Sequence, residues 1–303
     1  MSSDLAKPSR LDLLTRINLE DMFDSFGWRR STFVRSAAGA LFRGPARQFA
    51  RQVLDFDDQV SRCGLQEGAR HTLPAFLKNL HIEGQAQIPT SGPLLILANH
   101  PGMADTLALF TALPRPDLYI IANDRPFLRA LSAVSNQLIF VPEQPQSRVQ
   151  VVRSMVSQLR RGAAVLTFPA GQIEPDPAVI PGAVESLETW SESIAIPIRL
   201  VSDLTIVIAV VSGVLAPQAT YHPLTRLRRL QKDRERMGAA VQLLVNTLFP
   251  NAWPVCAEIF FSPPLSAENF ASLHDPRAIT QAVIEFARPF VAGAVKSRAL
   301  KRF

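Results

Sequence analysis

Short and almost wholly apolar runs recur along the chain after residue 90, and they constrain its fold more strongly than any other feature. The clearest runs cover residues 93–98, 118–122, 164–168 and 205–211. A strand with one solvated face alternates apolar and polar residues, so continuous runs predict strands that are covered on both faces. Segments with helical periodicity separate the runs, as in strand–helix–strand crossover units. The sequence therefore predicts an α/β fold with a largely parallel central sheet flanked by helices.

The first 78 residues differ, because they follow helical periodicity and contain no convincing strand. Phe49, Val53, Phe56 and Val60 recur at the spacing of one helix face. We therefore predict a helical N-terminal region over residues 1–78 and an α/β domain over residues 79–303.

Two long helices are predicted in the second half of the chain. Residues 182–202 form one that is interrupted near Pro197, and residues 224–249 form another. Apolar residues of the second helix recur at helical spacing, which predicts that they pack inward. These residues are Leu224, Leu227, Leu230, Met237, Val241 and Leu244.

The charge balance favours an acidic partner. The chain has 32 Lys and Arg residues against 26 Asp and Glu, a net charge of +6, which suits an anionic membrane surface, a nucleic acid or a phosphorylated substrate. The basic segment 226–236 lacks interleaved aromatic residues and a recognisable module, so no nucleic acid is expected. This segment is interpreted as a solvated helix face, a contact to an anionic membrane or a site for the donor's phosphates, and the basic residues in 296–302 also suit a membrane.

Several features indicate a cytoplasmic protein without a metal site. Cys63 and Cys256 stand far apart, which predicts neither a disulfide framework nor a zinc site. The first residues lack the apolar core of a secretory signal. The longest apolar run, 204–217, has about 14 residues, whereas a membrane span needs roughly 20. We expect a protein that is peripheral to the inner face of the membrane.

The segment LILANHPGMADT, residues 95–106, delivers a histidine and a carboxylate to the end of a predicted strand. A neutral imidazole accepts a proton from a hydroxyl group near neutral pH, and a carboxylate on its other nitrogen orients it. His100 and Asp105 have suitable spacing for this pair, and Gly102 lets the turn approach a substrate closely. Asp105 also suits an ordinary helix cap.

No protein nucleophile accompanies this pair. A Gly-x-Ser-x-Gly elbow is absent from the sequence, and no cysteine is signalled as the partner of a histidine. The simplest chemistry is then attack by an activated substrate hydroxyl on a reactive acyl group such as a thioester. The residues therefore indicate acyl transfer.

Three segments carry a resemblance to a known family. GPLLILANHPGMADTLAL, residues 92–109, resembles the first motif of the glycerol-phosphate and lysophospholipid (PlsC-like) acyltransferases, in which Asn-His-x-x-x-x-Asp follows a strand. LRRGAAVLTFPAGQ, residues 159–172, is similar to the third motif. LTIVIAVVSG, residues 204–213, is similar to the fourth.

The resemblance implies an O-acyltransferase of phospholipid biosynthesis. It implies that His100 is the base and Asp105 its orienting partner, and that the loop with Phe168, Pro169 and Gly171 belongs to the acceptor or acyl site. The implied donor is acyl-CoA or acyl-ACP, a co-substrate, with no further cofactor. The implied acceptor is a lipid or a glycerol derivative.

The chain departs from the family pattern where the acceptor is recognised. Ala170 stands in place of the family's glutamate, Ile173 and Glu174 in place of its basic residue, and Pro142 in place of an arginine that binds the acceptor's phosphate. A phosphate site normally needs a guanidinium group or an equivalent. Glycerol 3-phosphate and lysophosphatidate are therefore in doubt as acceptors.

Several alternatives stay open at this point. Either Arg148 or the pair Arg160 and Arg161 takes over anion binding, or the acceptor has no phosphate. An inactive lipid-binding protein and a thioester hydrolase are the alternative functions. The sequence leaves the acceptor, the acyl chain length, the choice between coenzyme A and carrier protein, and the oligomeric state open.

Overall fold

One eight-stranded sheet forms the centre of the computed structural model, which describes residues 9–26, 32–144, 148–249 and 252–300. The strands are β1 (Asn79–Glu83), β2 (Leu94–Ala98), β3 (Leu118–Asn123), β4 (Leu138–Val141), β5 (Ala164–Thr167), β6 (Thr205–Ser212), β7 (Cys256–Phe261) and β8 (Leu265–Ser266). The α-helices are α1 (Arg10–Phe26), α2 (Thr32–Thr72), α3 (Met103–Ala112), α4 (Pro126–Arg129), α5 (Ser132–Ser135), α6 (Arg148–Arg160), α7 (Ala195–Leu200), α8 (Pro217–Thr220), α9 (Gln231–Leu248) and α10 (Pro276–Leu300).

The strand order is β1-β7-β6-β2-β5-β3-β4, with β8 beside β6. Neighbouring strands run parallel except where β6 pairs with β7 and with β8. All residues of β2 and β5 are buried, and so are all but the first residue of β6. This arrangement confirms the predicted α/β fold with a largely parallel central sheet flanked by helices.

The two N-terminal helices share their core with one face of the sheet. Leu14 of α1 and Phe49 and Phe56 of α2 lie in the same buried cluster as Leu94 and Ile96 of β2. A separate cluster on the other face joins the sheet to residues of α6, α7 and α10. The first strand starts at Asn79, and the division into two domains at residue 78 stays a prediction.

The long helix predicted over residues 182–202 is wrong. Two short 3-10 turns, Glu185–Thr189 and Glu192–Ile194, and the short helix α7 occupy this segment. Tertiary hydrogen bonds account for the difference, because the backbone N–H of Ser191 donates to the carbonyl oxygen of Pro169 over 3.0 Å. The segment is thereby held in turns against the loop that follows β5.

The predicted inward packing of the second helix is wrong at its beginning. Leu224, Leu227 and Leu230 are 41%, 74% and 57% exposed, although Met237 and Val241 are buried. The helix α9 starts only at Gln231, and a 3-10 turn over Pro223–Leu227 precedes it. The buried Thr225 holds this turn, since its hydroxyl donates to the carbonyl oxygens of His222 and Thr220.

One described helix segment, Pro276–Lys296, is long and apolar enough to cross a membrane by length and composition. A core helix of a globular protein passes the same test. Ile279, Val283, Ala287 and Val291 are buried in the cluster beneath the sheet. The segment therefore packs one face against the protein core.

The guanidinium group of Arg115 ties the amino ends of three strands together. It donates to the carbonyl oxygens of Pro89, Gly92 and Gly162 and forms a bidentate pair with Asp117. Its side chain is fully buried. Removing it leaves these carbonyl groups without their donor.

We expect Arg115→Met to lower the free energy of unfolding by about 3 kcal/mol, because it removes one partner of a buried charged network. Urea denaturation measures this change. Arg288→Met is the control, since Arg288 forms its ion pairs with Glu188 and Glu285 at the surface. Equal effects of the two substitutions would contradict the assigned role of Arg115.

Candidate active site

The buried side chain of Asn99 joins the end of β2 to β6. Its Oδ1 accepts the backbone N–H of Val211 over 2.7 Å, and its Nδ2 donates to the carbonyl oxygen of Val211 over 2.9 Å. The amide thus continues the hydrogen bonds of the β2–β6 ladder for one more residue. His100 follows directly, so this anchor fixes where the next side chain leaves the sheet.

The imidazole of His100 and the carboxylate of Asp105 are in contact. The distance from His100 Nδ1 to Asp105 Oδ2 is 2.8 Å. The His100 side chain is 26% exposed, whereas that of Asp105 is fully buried. If Nδ1 carries the proton that points to Asp105, Nε2 holds a free lone pair. No protein group among the described residues forms a hydrogen bond with Nε2, so this atom can meet a substrate.

The Asp105 carboxylate also caps the start of α3. Its Oδ2 accepts the backbone N–H of Gly102 over 2.9 Å, and its Oδ1 accepts the hydroxyl of Thr106 over 2.9 Å. The Asp105 carboxylate therefore caps the helix and contacts the histidine at the same time, as both interpretations of the sequence proposed. Both oxygens of the carboxylate thus accept hydrogen bonds from the first turn of this helix.

Gly102 lies buried in the turn that joins β2 to α3. An added Cβ atom would lie 3.5 Å from Leu215 and 3.6 Å from Val214, which is ordinary contact distance. Its φ of 173° belongs to extended backbone, which any residue adopts. Neither backbone strain nor packing therefore requires glycine at this position, and a role in substrate binding stays a prediction.

The loop after β5 covers one face of the histidine. The ring of Phe168 stacks on the ring of His100, with centroids 4.4 Å apart and an angle of 28° between the planes. Gly171 donates its N–H to the carbonyl oxygen of Phe168 over 2.9 Å and has a left-handed φ of 62°. Pro169 is buried inside this turn, and Gly171 is exposed. The structure thus brings Phe168 to His100, and the roles of Pro169 and Gly171 in the acceptor or acyl site stay predictions.

Glu174 is a further acidic residue at the site, and sequence reasoning assigned it no role. Its Oε2 accepts the backbone N–H of His100 over 3.1 Å, and its own N–H donates to the carbonyl oxygen of His100 over 2.9 Å. Its Oε1 accepts the Trp190 indole N–H over 3.1 Å and the Ser186 hydroxyl over 3.2 Å. The one signal in the sequence was an acid standing where the family pattern has a basic residue.

The two acids act on the histidine in the same direction. Burial by itself lowers the pKa of His100, but the charges of Asp105 and Glu174 and the hydrogen bond to Asp105 outweigh it and raise the pKa above its ordinary value of 6.5. Burial raises the pKa of Glu174 to about 7, against the lowering effect of its hydrogen bonds. Glu174 therefore changes charge near neutral pH, and the protein environment favours the charged form of His100.

A third buried acid, Asp176, fixes the loop after β6. Its carboxylate accepts the backbone N–H groups of Gly213 and Leu215 over 2.8 and 3.0 Å. Gln242 of α9 binds the same loop, because it accepts from the N–H of Ala216 and donates to the carbonyl oxygen of Val214. This loop packs over Gly102, so these contacts shape the back of the site.

A narrow cavity of about 40 Å³ adjoins the turn between β2 and α3. Most of the side chains that line it are apolar, among them Phe76, Met103, Leu215 and Leu243. Met103 itself is half exposed. An aliphatic group is therefore compatible with the surface beside Met103. In ranges 9–26, 32–144, 148–249 and 252–300, no His, Cys, Asp and Glu side chains cluster in threes as metal ligands do.

The candidate anion ligands are distributed differently from the prediction. The side chain of Arg148 lies outside the described residues. Arg160 ends the helix α6 and Arg161 follows it, before the amino end of β5, and Arg160 donates to the carbonyl oxygen of Leu200 over 3.0 Å. Because His100 and Phe168 follow the carboxyl ends of parallel strands, the arginine pair lies at the opposite edge of the sheet. The hypothesis that this pair binds the acceptor next to His100 is wrong.

Comparison with known proteins identifies the central part of the chain. Residues 79–208 match the family model described as Acyltransferase, which confirms the predicted acyltransferase resemblance. Among solved structures, a 1-acyl-sn-glycerophosphate (LPA) acyltransferase, PlsC, from Thermotoga maritima is similar with a TM-score of 0.47 and 14% sequence identity. The similarity covers 92% of this chain and 97% of that chain. No curated protein sequence matches the chain significantly.

We expect the His100 imidazole to titrate above 6.5, and Asp105→Asn to lower its midpoint, because the substitution removes the charge that stabilises the imidazolium. NMR titration of the histidine ring protons measures both midpoints. The exposed His274 provides an internal reference in the same spectra. An unchanged His100 midpoint in the variant would show that the two side chains do not interact in solution.

Proposed function

We propose that the protein transfers a fatty acyl group from an acyl thioester to a hydroxyl group of a lipid or glycerol-derived acceptor. The match of residues 79–208 to the Acyltransferase family model supports this proposal. The donor in this proposal is acyl-CoA or acyl-ACP, and no other cofactor takes part. The observation that carries it is the 2.8 Å contact between His100 Nδ1 and Asp105 Oδ2, which leaves Nε2 free beside a partly exposed surface.

The proposed mechanism needs one base and no protein nucleophile. His100 Nε2 removes the proton of the acceptor hydroxyl while the hydroxyl oxygen attacks the thioester carbonyl carbon. The tetrahedral intermediate then expels the thiolate, the C–S bond breaks, and the imidazolium returns its proton to the sulfur. Asp105 holds the imidazole in the productive tautomer and stabilises the imidazolium between the two steps.

Two features support a lipid as the acceptor. The cavity beside Met103, which lies in the helix turn that follows His100, has a mainly apolar lining, and this lining is compatible with a small aliphatic group. The family's phosphate-binding arginine is replaced by Pro142 and its motif glutamate by Ala170, so the proposal covers glycerolipid-type and other lipid acceptors without assigning a phosphate ligand. The retained pair of His100 and Asp105 argues against the inactive lipid-binding protein.

A surface at the same edge of the sheet as this site supports membrane association, which we propose takes place on the cytoplasmic side. We call residues 221–230 the leucine–arginine segment. Leu224, Leu227 and Leu230 are exposed in it and alternate with the exposed Arg226 and Arg229. The segment follows the carboxyl end of β6, the same edge of the sheet at which β2 delivers His100. Apolar side chains that enter the interface beside basic ones that meet anionic headgroups are typical of peripheral membrane binding.

We expect His100→Ala to lower acceptor-dependent thiol release from an acyl thioester by about 10²- to 10⁴-fold, the usual contribution of a positioned general base. Release is followed with a panel of lipid acceptors and with no acceptor. His274→Ala is the matched control, since this histidine is exposed and lies elsewhere.

The outcomes of this assay separate three functions. Acceptor-dependent release that His100→Ala abolishes supports transfer. Release by the wild type in water alone indicates a thioester hydrolase. Equal release by wild type and His100→Ala eliminates the mechanism.

We expect simultaneous substitution of Leu224, Leu227 and Leu230 by serine to weaken binding to vesicles at least about tenfold, because the apolar area that enters the lipid is lost. Phosphatidylcholine vesicles with and without phosphatidylglycerol are compared by sedimentation. Replacing Arg226 and Arg229 by glutamine should weaken only the binding to anionic vesicles, by about 1 kcal/mol per residue.

Leu200→Ser provides the matched control for this surface. Leu200 is also half exposed and lies near Arg160, but at the opposite edge of the sheet. An equal loss of vesicle binding in this variant would mean that the leucine–arginine segment is not the membrane contact.

A further inference from the structure

We propose that Glu174 is a positioning residue for His100, which fixes the backbone of the histidine and supplies a second negative charge to its imidazolium. This inference rests on the proposed function, because it assumes that His100 acts as the base. Glu174 affects the proposed reaction only through His100 and does not contact the substrate.

The first argument is that Glu174 satisfies both backbone polar groups of His100. The backbone N–H of His100 donates to Glu174 Oε2 over 3.1 Å, and the N–H of Glu174 donates to the carbonyl oxygen of His100 over 2.9 Å. Two hydrogen bonds with opposite direction fix both the position and the orientation of the His100 peptide groups. The side chain of the histidine can then turn only about its own torsions.

The second argument is that the carboxylate is itself anchored from behind. The indole N–H of Trp190 donates to Oε1 over 3.1 Å, and the Ser186 hydroxyl, which also contacts the carbonyl oxygen of Ala183 over 2.8 Å, lies 3.2 Å from Oε1. Glu174 is 1% exposed. The N–H groups of His100 and Trp190 can only donate, so each oxygen of the Glu174 side chain accepts at least one hydrogen bond. The turn that carries Trp190 is thereby connected to His100 through one side chain.

The third argument is energetic. A buried carboxylate is stabilised poorly unless its charge is compensated, and a neutral or apolar side chain of similar volume would fill the same space more favourably. Burial accordingly raises the pKa of Glu174 to about 7. The buried Glu174 therefore destabilises the fold at alkaline pH, where it is ionised. Buried acids with a strongly raised pKa cluster at functional sites.

The charge has a use in the proposed reaction. When His100 Nε2 takes the proton of the acceptor, the imidazole becomes positive. Asp105 and Glu174 are the charged groups that act on this ring among the described residues, and both favour its charged form. Phe168 covers one ring face, so solvent contributes less to stabilising the imidazolium than it would at an open surface.

The test uses the full chain and the variant Glu174→Gln, which has nearly the same shape but no charge. We expect kcat for acyl transfer to fall about tenfold with little change of KM, because the loss appears when the imidazolium forms. The NMR midpoint of His100 should fall as well. Trp190→Phe removes one donor to the carboxylate and should shift both quantities in the same direction but less, which keeps the test valid if Glu174→Gln does not fold.

Asp176→Asn is the matched control. Asp176 is also a buried acid, but its carboxylate accepts from Ala178, Gly213 and Leu215 and not from His100. We expect this variant to lose stability while the His100 midpoint stays unchanged. If Glu174 had a purely structural role, Glu174→Gln would likewise lose stability and leave the His100 midpoint unchanged.

The pH dependence of stability gives an independent readout. The pKa of Glu174 is raised from 4.5 to about 7 in the folded chain, so its proton must leave the buried group as the pH rises. Stability contributed by the protonated acid is therefore lost in the wild type as the pH rises from 4.5 to about 7. Over this range, the free energy of unfolding of the wild type should fall relative to that of Glu174→Gln, because glutamine does not titrate.

Two results would overturn the inference: an unchanged His100 midpoint in both Glu174→Gln and Trp190→Phe, or an unchanged kcat in these variants when wild-type transfer is active. If the wild type transfers no acyl group, the proposed function fails. The NMR titration then still decides whether Glu174 controls His100.

Discussion

The parallel pairing of β2 with β5 on one side and β6 on the other is the constraint on which the rest of the structure depends. Leu97 lies opposite Thr167 and Ile208, so the three strands are in register near their carboxyl ends. The side chains on both faces of these strands are buried. A shift of the pairing by one residue would therefore move every side chain to the opposite face of the sheet. The loops that carry His100 and Phe168 must therefore emerge at the same edge.

The two acids at this edge contact the histidine in different ways. Asp105 meets the ring itself and is stabilised by the N–H of Gly102 at the start of α3. Glu174 meets the backbone of His100 and is held by Trp190. A carboxylate at a helix start is stabilised locally, whereas one in the interior depends on tertiary donors. The first interaction can form with the turn, and the second requires the assembled sheet.

This difference explains what the sequence could and could not predict. Continuous apolar runs report burial on both faces, so strands β2, β5 and β6 and the edge beyond them followed from the pattern. His100 and Asp105 lie within a single turn, and their spacing alone limits the geometry. Glu174 and Trp190 reach His100 only through contacts between distant segments, which no local pattern encodes. The same holds for Arg160, whose distance from the site follows from the direction of β5.

The leucines before α9 show a further limit of periodicity. An apolar stripe indicates that side chains avoid water, but it does not specify what covers them. Leu224, Leu227 and Leu230 continue the apolar spacing of α9 along the sequence. The chain is not α-helical at these positions, however, and the three side chains are exposed. Insertion into a lipid layer would also remove these leucine side chains from water. On the proposed function, a lipid acceptor bound at this edge would then reach His100 without crossing the face of the sheet.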